Sequence, residues 1–162
     1  MTGAQKILHL LVEAGVNFIV VGAYAAIAQG AQQRTEDLDI CHERSPGNYK
    51  KLIAVLRPIH ARLIDLPPEL KVPFDESSLA QGTNFTLITD EGRLDLLGEL
   101  SAVGGYRELF PNSIQIEVAG IRCRVASLEA VIRSKETANR PKDRLVLPEL
   151  RALLEVRKRR ET

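Results

Sequence analysis

Val20-Val21-Gly22-Ala23-Tyr24, and after it Arg34-Thr35-Glu36-Asp37-Leu38-Asp39, is the stretch that decides how this chain folds. Val16 to Val21 is short and rich in β-branched residues, which predicts a buried strand. Gly22 ends it, and Ala23 to Gln29 reads as a small-residue helix closed by Gly30. Asp37 to Cys41 then alternates polar and apolar with period two, the pattern of a half-buried strand. A strand, a glycine turn, a short helix and an acidic strand therefore follow one another inside the first quarter of the chain.

The elements on either side extend this core. Ile7, Leu8, Leu10, Leu11 and Val12 recur at helical spacing up to Ala14-Gly15. Pro46 behind Ser45 opens a second amphipathic helix through Leu56, with Leu52, Ile53, Val55 and Leu56 inward. From Asp65 to Thr83 periodicity fails, and Pro67, Pro68 and Pro73 predict a long irregular connection with a short strand near Val72. Phe85–Thr89 and Leu94–Leu97 form one hairpin, and Ser113–Val118 with Ile121–Val125 a second across Ala119-Gly120. Ser127 caps a helix over Leu128–Ala138, and a last helical region ends in Arg157-Lys158-Arg159-Arg160. This order predicts an α+β fold: a mixed, mostly antiparallel sheet with helices packed on one face, plus C-terminal helices. The expected division is a catalytic core over residues 1–126 and a helical segment over 127–162 packed on it as one domain.

Composition narrows the function. The chain has 162 residues, 22 basic against 21 acidic, and 4% aromatics. No broad basic field or stacking platform for nucleic acid follows from those numbers. Cys41 and Cys123 are too few for a disulfide scaffold and form no CxxC pair, so both are expected as buried thiols. The N-terminal residues lack the apolar core of a signal peptide, and no run is long enough for a bilayer, which predicts a cytoplasmic protein with no membrane contact. P-loop, nucleophile-elbow and dinucleotide-fold glycine patterns are absent from the sequence.

The chemistry concentrates in carboxylates. Asp37 and Asp39, two apart on a strand, project from one face about 7 Å from each other. Such a pair fits either a solvated edge strand or a cation that neutralises it, and oxygen donors without thiols or imidazoles suit Mg²⁺ or Mn²⁺. Asp95 sits among core residues in Arg93-Leu94-Asp95-Leu96-Leu97 and needs a partner, either that pair with its metal or Arg93. Gly22 lets a ligand approach the backbone at the start of a helix. His42, directly after the strand, reads as an exposed turn histidine, and Asp143 as a cap or the partner of a basic side chain.

Gly22-Ala23, then Thr35-x-Asp37-Leu38-Asp39, then Asp95 on a later strand resembles the DNA polymerase β-type nucleotidyltransferase superfamily. The run Phe18 to Ala26, the Arg34–Asp39 run and the late Lys135…Arg140-Pro141-Lys142-Asp143 segment are similar to small bacterial members related to abortive-infection, toxin–antitoxin nucleotidyltransferases. The resemblance implies an Mg²⁺-dependent enzyme that moves an NMP group from an NTP such as ATP to a hydroxyl of a protein, RNA or small molecule, releasing pyrophosphate. In it Asp37, Asp39 and Asp95 are catalytic and hold two Mg²⁺ ions, with Mn²⁺ as a substitute. Gly22, Ala23, Arg34, Lys135 and Lys142 bind the nucleotide. A cognate partner protein is a further expectation of that subgroup. Ala23 departs from the usual Gly-Ser or Gly-Gly turn, so a hydroxyl contact to the phosphates is missing. The other reading is a nucleotide-sensing or partner-binding module of the same fold with little or no turnover.

Overall fold

The computed structural model describes residues 1–67, 69–70 and 72–161. Helix α1 (Gly3–Glu13) starts at a capping box in which Thr2 and Gln5 satisfy each other's backbone N–H groups. Its Ala4, Ile7, Leu8 and Leu11 face the core. Strand β1 (Phe18–Val21) is buried along its whole length, and α2 (Gly22–Ala28) follows it without a connecting loop. Strand β2 (Leu38–His42) leads to α3 (Pro46–Leu56), capped by Ser45 with Pro46 in the first turn. Strands β3 (Arg62–Leu63), β4 (Asn84–Thr89) and β5 (Gly92–Leu97) surround a short helix, α4 (Glu76–Gln81). After α5 (Tyr106–Leu109) come β6 (Ser113–Val118), β7 (Ile121–Ala126), α6 (Leu128–Ala138) and α7 (Pro141–Glu161).

The seven strands form one mixed sheet in the order β3-β4-β5-β2-β1-β7-β6. Neighbouring pairs are antiparallel except β2–β5 and β1–β7. The buried strands β1 and β2 lie near the centre, where Val21 faces Asp39 across one ladder and Asp39 faces Asp95 across the next. Leu38, Ile40 and His42 point to the face covered by α3, whose Tyr49 ring lies 6.4 Å from His42. Asp39 and Cys41 point to the opposite face. The turn between β6 and β7 has Ala119 and Gly120 at φ 53° and 82°, the conformation that a two-residue hairpin of this twist requires. Among the described residues no helix is long and apolar enough to cross a membrane.

Four expectations change. First, β2 begins at Leu38, because the Thr35 hydroxyl takes the backbone N–H of Asp37 at 3.1 Å and holds it outside the ladder, just after a bend at Glu36. Second, Val72 is in no strand; regular structure in that connection is α4, capped by Asp75 and Ser78 in a reciprocal box. Asp75-Glu76-Ser77-Ser78 carried that signal, and the surrounding prolines obscured it. Pro68 and Lys71 of the same connection lie outside the described residues. Third, Pro148 lies within the continuous helix α7 and does not interrupt it. Fourth, His42 is not an exposed turn residue: it is the last residue of β2, fully buried, with neither ring nitrogen hydrogen-bonded.

Burial, helped by the charge of Arg44, lowers the His42 imidazole to about 4, so it is neutral in the folded chain. In the unfolded chain it titrates near 6.5, so stability is complete above that pH and falls as pH drops from about 6.5 to 4. His42→Leu is expected to remove that acid sensitivity, seen as a flatter midpoint-temperature profile between those pH values than for the wild type. Both cysteines are buried and unpaired, as expected, and burial pushes the Cys41 and Cys123 thiols up to about 12 and about 11.

Candidate active site

The site forms where β1 gives way to α2. Gly22 has φ +66°, and a Cβ placed on it would lie 2.5 Å from Oδ2 of Asp39. Glycine is therefore required twice at this position, for its backbone conformation and for the space that the Asp39 carboxylate occupies. Parallel pairing of β2 with β5 sets Asp95 beside Asp39 on the same face. Arg93, two residues earlier on β5, points the same way and reaches Asp95 with Nε 3.2 Å from Oδ1.

The electrostatics of this pair are unusual. Burial, then the charge of Asp95, a hydrogen bond with Asp95 and the charge of Asp37 push the Asp39 carboxyl up to about 7, against a smaller opposing pull from Arg93. Its Oδ1 is buried and has no hydrogen-bond partner. Near neutrality the Asp39 carboxyl is therefore partly protonated, as burial beside a second carboxylate demands. A cation bound there would displace that proton and satisfy the orphaned oxygen. Such an all-oxygen donor set fits a hard divalent ion. Among the described residues no three His, Cys, Asp or Glu side chains are gathered as a ready-made cage. Asp37, exposed just before β2, borders the pair and is near enough for its charge to help raise Asp39.

Cations close the site from the C-terminal side. Asp143 is fully buried; burial alone would raise its carboxyl, but hydrogen bonds from the Arg140 side chain and backbone, with the charges of Arg140 and Lys135, hold it below the ordinary value. Arg140 Nε lies 2.7 Å and Lys135 Nζ 3.6 Å from its oxygens. Asp143 therefore pairs with basic side chains, as its sequence context suggested, and fixes two cations at the α6–α7 junction. Arg34 and Lys142 have no ion-pair partner within 4.0 Å among the described residues.

One cleft of about 330 Å³ gathers these groups. Gly22, Ala23, Arg34, Asp37, Asp39, Asp95, Lys135 and Lys142 all line it, so every residue that the sequence singled out for the site faces the same space. Gln33, Thr35, Arg93, Arg140 and Val146 also line it and were not among the expected site residues. For Arg93 the signal was available, since a residue two before Asp95 on one strand shares its face. For Arg140 it was the placement directly before Pro141, the first residue of α7. Five cations thus face three carboxylates, an arrangement that can hold a polyanion against an acidic, metal-accepting wall.

The mixed sheet with its strand–glycine–helix junction has the polymerase β-like nucleotidyltransferase fold. Solved structures bear it out. A Thermotoga maritima protein assigned to the nucleotidyltransferases matches with a TM-score of 0.58 at 19% identity, over 89% of this chain and 87% of that one. The lincosamide antibiotic adenylyltransferase LnuA, solved with lincomycin bound, matches with a TM-score of 0.61 at 17% identity, over 91% and 94%. ANT(2")-Ia in complex with adenylyl-2"-tobramycin matches with a TM-score of 0.57 at 15% identity, over 97% and 95%. No family model and no curated protein sequence matches the chain.

Proposed function

We propose that this protein is a metal-dependent nucleotidyltransferase that moves an NMP group from an NTP to a hydroxyl acceptor and releases pyrophosphate. The observation that carries the reading is the in-register Asp39–Asp95 pair beside Gly22, with a raised Asp39 carboxyl and a surrounding set of cations. Asp39 and Asp95, joined by Asp37, would hold two Mg²⁺ ions, or Mn²⁺. Bound there, they would supply charge neutralisation for the attacking and leaving oxygens.

The protein's own groups divide the remaining work. Asp95, in register beside Asp39 and steadied by Arg93, is the group to accept the proton of the acceptor hydroxyl. Arg34 and Lys142 are unengaged cations for the triphosphate, while Lys135 and Arg140 are held in place by Asp143 before any ligand arrives. Ala23 offers the phosphates no hydroxyl, so affinity rests on these side chains and on backbone donors. Of the acceptor classes, a small molecule is favoured over protein or RNA. Two solved structures of the same fold are antibiotic adenylyltransferases, and the near-neutral net charge supplies no field for RNA. The narrower abortive-infection subgroup, with a cognate partner protein, stays a proposal beside this one.

Incubation with each α-phosphate-labelled NTP, Mg²⁺ and a panel of hydroxylated small molecules, RNA and cell extract tests the reading. Labelled acceptor and pyrophosphate are expected with the wild type, and a loss of about a thousandfold or more with Asp95→Asn. Undiminished transfer by an Asp37/Asp39/Asp95 triple asparagine variant would end the assignment. Tight NTP binding without turnover would instead identify a nucleotide-sensing module.

A further inference from the structure

A second cleft, of about 540 Å³, opens beside the first, between α2 and the segment leading into β2. It shares Gln33, Arg34 and Thr35 with the carboxylate cleft, so the two spaces meet across that segment. Tyr24 and Ile27, three apart on α2 and half-buried, form one wall. The size lies within the roughly 300–1,000 Å³ of small-molecule sites.

Gln33 is the feature this geometry leaves unexplained. Its Nε2 is buried and has no hydrogen-bond partner. Nearby Gln29 shows the ordinary arrangement: its Nε2 donates to the carbonyls of Ala25 and Ala126, and its Oε1 accepts from Arg157. The segment carrying Gln33 is tied down on both sides. Glu149 accepts from the Gln32 backbone N–H at 2.9 Å, and the Thr35 hydroxyl accepts from Asp37. The backbone is thus held while the carboxamide, unpaired at Nε2, can turn to a ligand acceptor in the cleft that Gln33 lines.

We infer that this second cleft holds the base of the nucleotide, an adenine, with Gln33 reading its edge and Tyr24 and Ile27 covering a ring face. The inference rests on the transferase reading, which places the triphosphate in the adjoining carboxylate cleft. An aromatic and an aliphatic side chain on one helical face make a flat wall for a planar ring. A carboxamide at the ring edge matches adenine in both directions, donating to N7 and accepting from the N6 amino group. Guanine offers two acceptors along that edge and satisfies only half of the pairing. Arg34 and Thr35, where the clefts meet, fall between base and phosphates.

Calorimetric titration with ATP, GTP, CTP, UTP and inorganic tripolyphosphate in Mg²⁺ tests this. The wild type is expected to prefer ATP by about tenfold or more, the size of discrimination that a bidentate contact gives. Gln33→Leu, similar in shape but without polar atoms, should bring the four nucleotides within about threefold of one another. Its thermal midpoint should be no lower than in the wild type. Tyr24→Ala should weaken all four nucleotides together and spare tripolyphosphate. An unchanged ATP preference in Gln33→Leu, or no base preference in the wild type, overturns the assignment of Gln33 while tripolyphosphate binding still supports the first cleft. Failure of every triphosphate to bind overturns both.

Discussion

Asp39→Asn is expected to stabilise the protein at pH 8 in the absence of divalent cations while abolishing nucleotide transfer. The carboxyl titrates near 3.8 when unfolded and about 7 when folded, because burial and the charge of Asp95 oppose its ionisation. Between those values the folded chain binds more protons than the unfolded one, so this group makes stability fall as pH rises, and above about 7 the full penalty applies. At roughly 1.4 kcal/mol per pH unit the ceiling is about 4 kcal/mol, and relaxation around the pair reduces it. An asparagine carries no charge, and its amide can donate to Asp95. The midpoint temperature of the variant should rise by several degrees, given about 2–4 °C per kcal/mol for a chain of this size. At pH 8 the His42 contribution is constant, because that ring is already neutral in both states. Added Mg²⁺ should raise the midpoint of the wild type and not that of the variant, closing the gap. Scanning calorimetry in chelator and in Mg²⁺ decides the matter. A variant less stable than the wild type in chelator would show that the pair is no source of strain.

Gly22→Ala is expected to cost both stability and activity through the same carboxylate. A non-glycine residue at φ +66° carries a backbone penalty of about 1–2 kcal/mol. The new methyl would also stand 2.5 Å from Oδ2 and 3.2 Å from Cγ of Asp39, closer than packed atoms approach. Either α2 or the Asp39 side chain must shift, and the total should reach roughly 2–4 kcal/mol with loss of transfer. The two components can be separated. In a Gly22→Ala/Asp39→Ala double variant the contacts with Oδ2 and Cγ disappear while the 3.3 Å contact with the Cβ at position 39 and the backbone penalty stay, so the two stability effects should be non-additive by about 1 kcal/mol or more. Simple additivity in denaturant unfolding would mean that Gly22 is needed for its backbone conformation alone.

Much of this was legible locally. The hairpins, the caps at Ser45 and Ser127 and the glycine turn follow from short-range pattern, and the carboxylates stood out because charged residues were embedded in strand-like runs. Helix α4 was hidden because prolines dominate its surroundings, although Asp75 and Ser78 encode its cap. His42 was misplaced because a histidine after a strand reads as the first turn residue. Only the ladder with β1, which pairs it with Phe18, shows that the strand includes it.

The amino-acid sequence by itself determined the order of elements and the residue types of the site, since capping, alternation and turn chemistry act within a few neighbouring residues. The near-balance of 22 basic and 21 acidic residues also came from it, but not their arrangement. Tertiary structure decided which groups meet. Pairing of β2 with β5 brings together Asp39 and Asp95, separated by more than fifty residues of chain, and the α6–α7 junction delivers Lys135, Arg140 and Lys142 to the same cleft. The raised Asp39 carboxyl and the orphaned Gln33 donor belong to this second level as well. Both arise from burial and from neighbours distant in the chain, which no local pattern records.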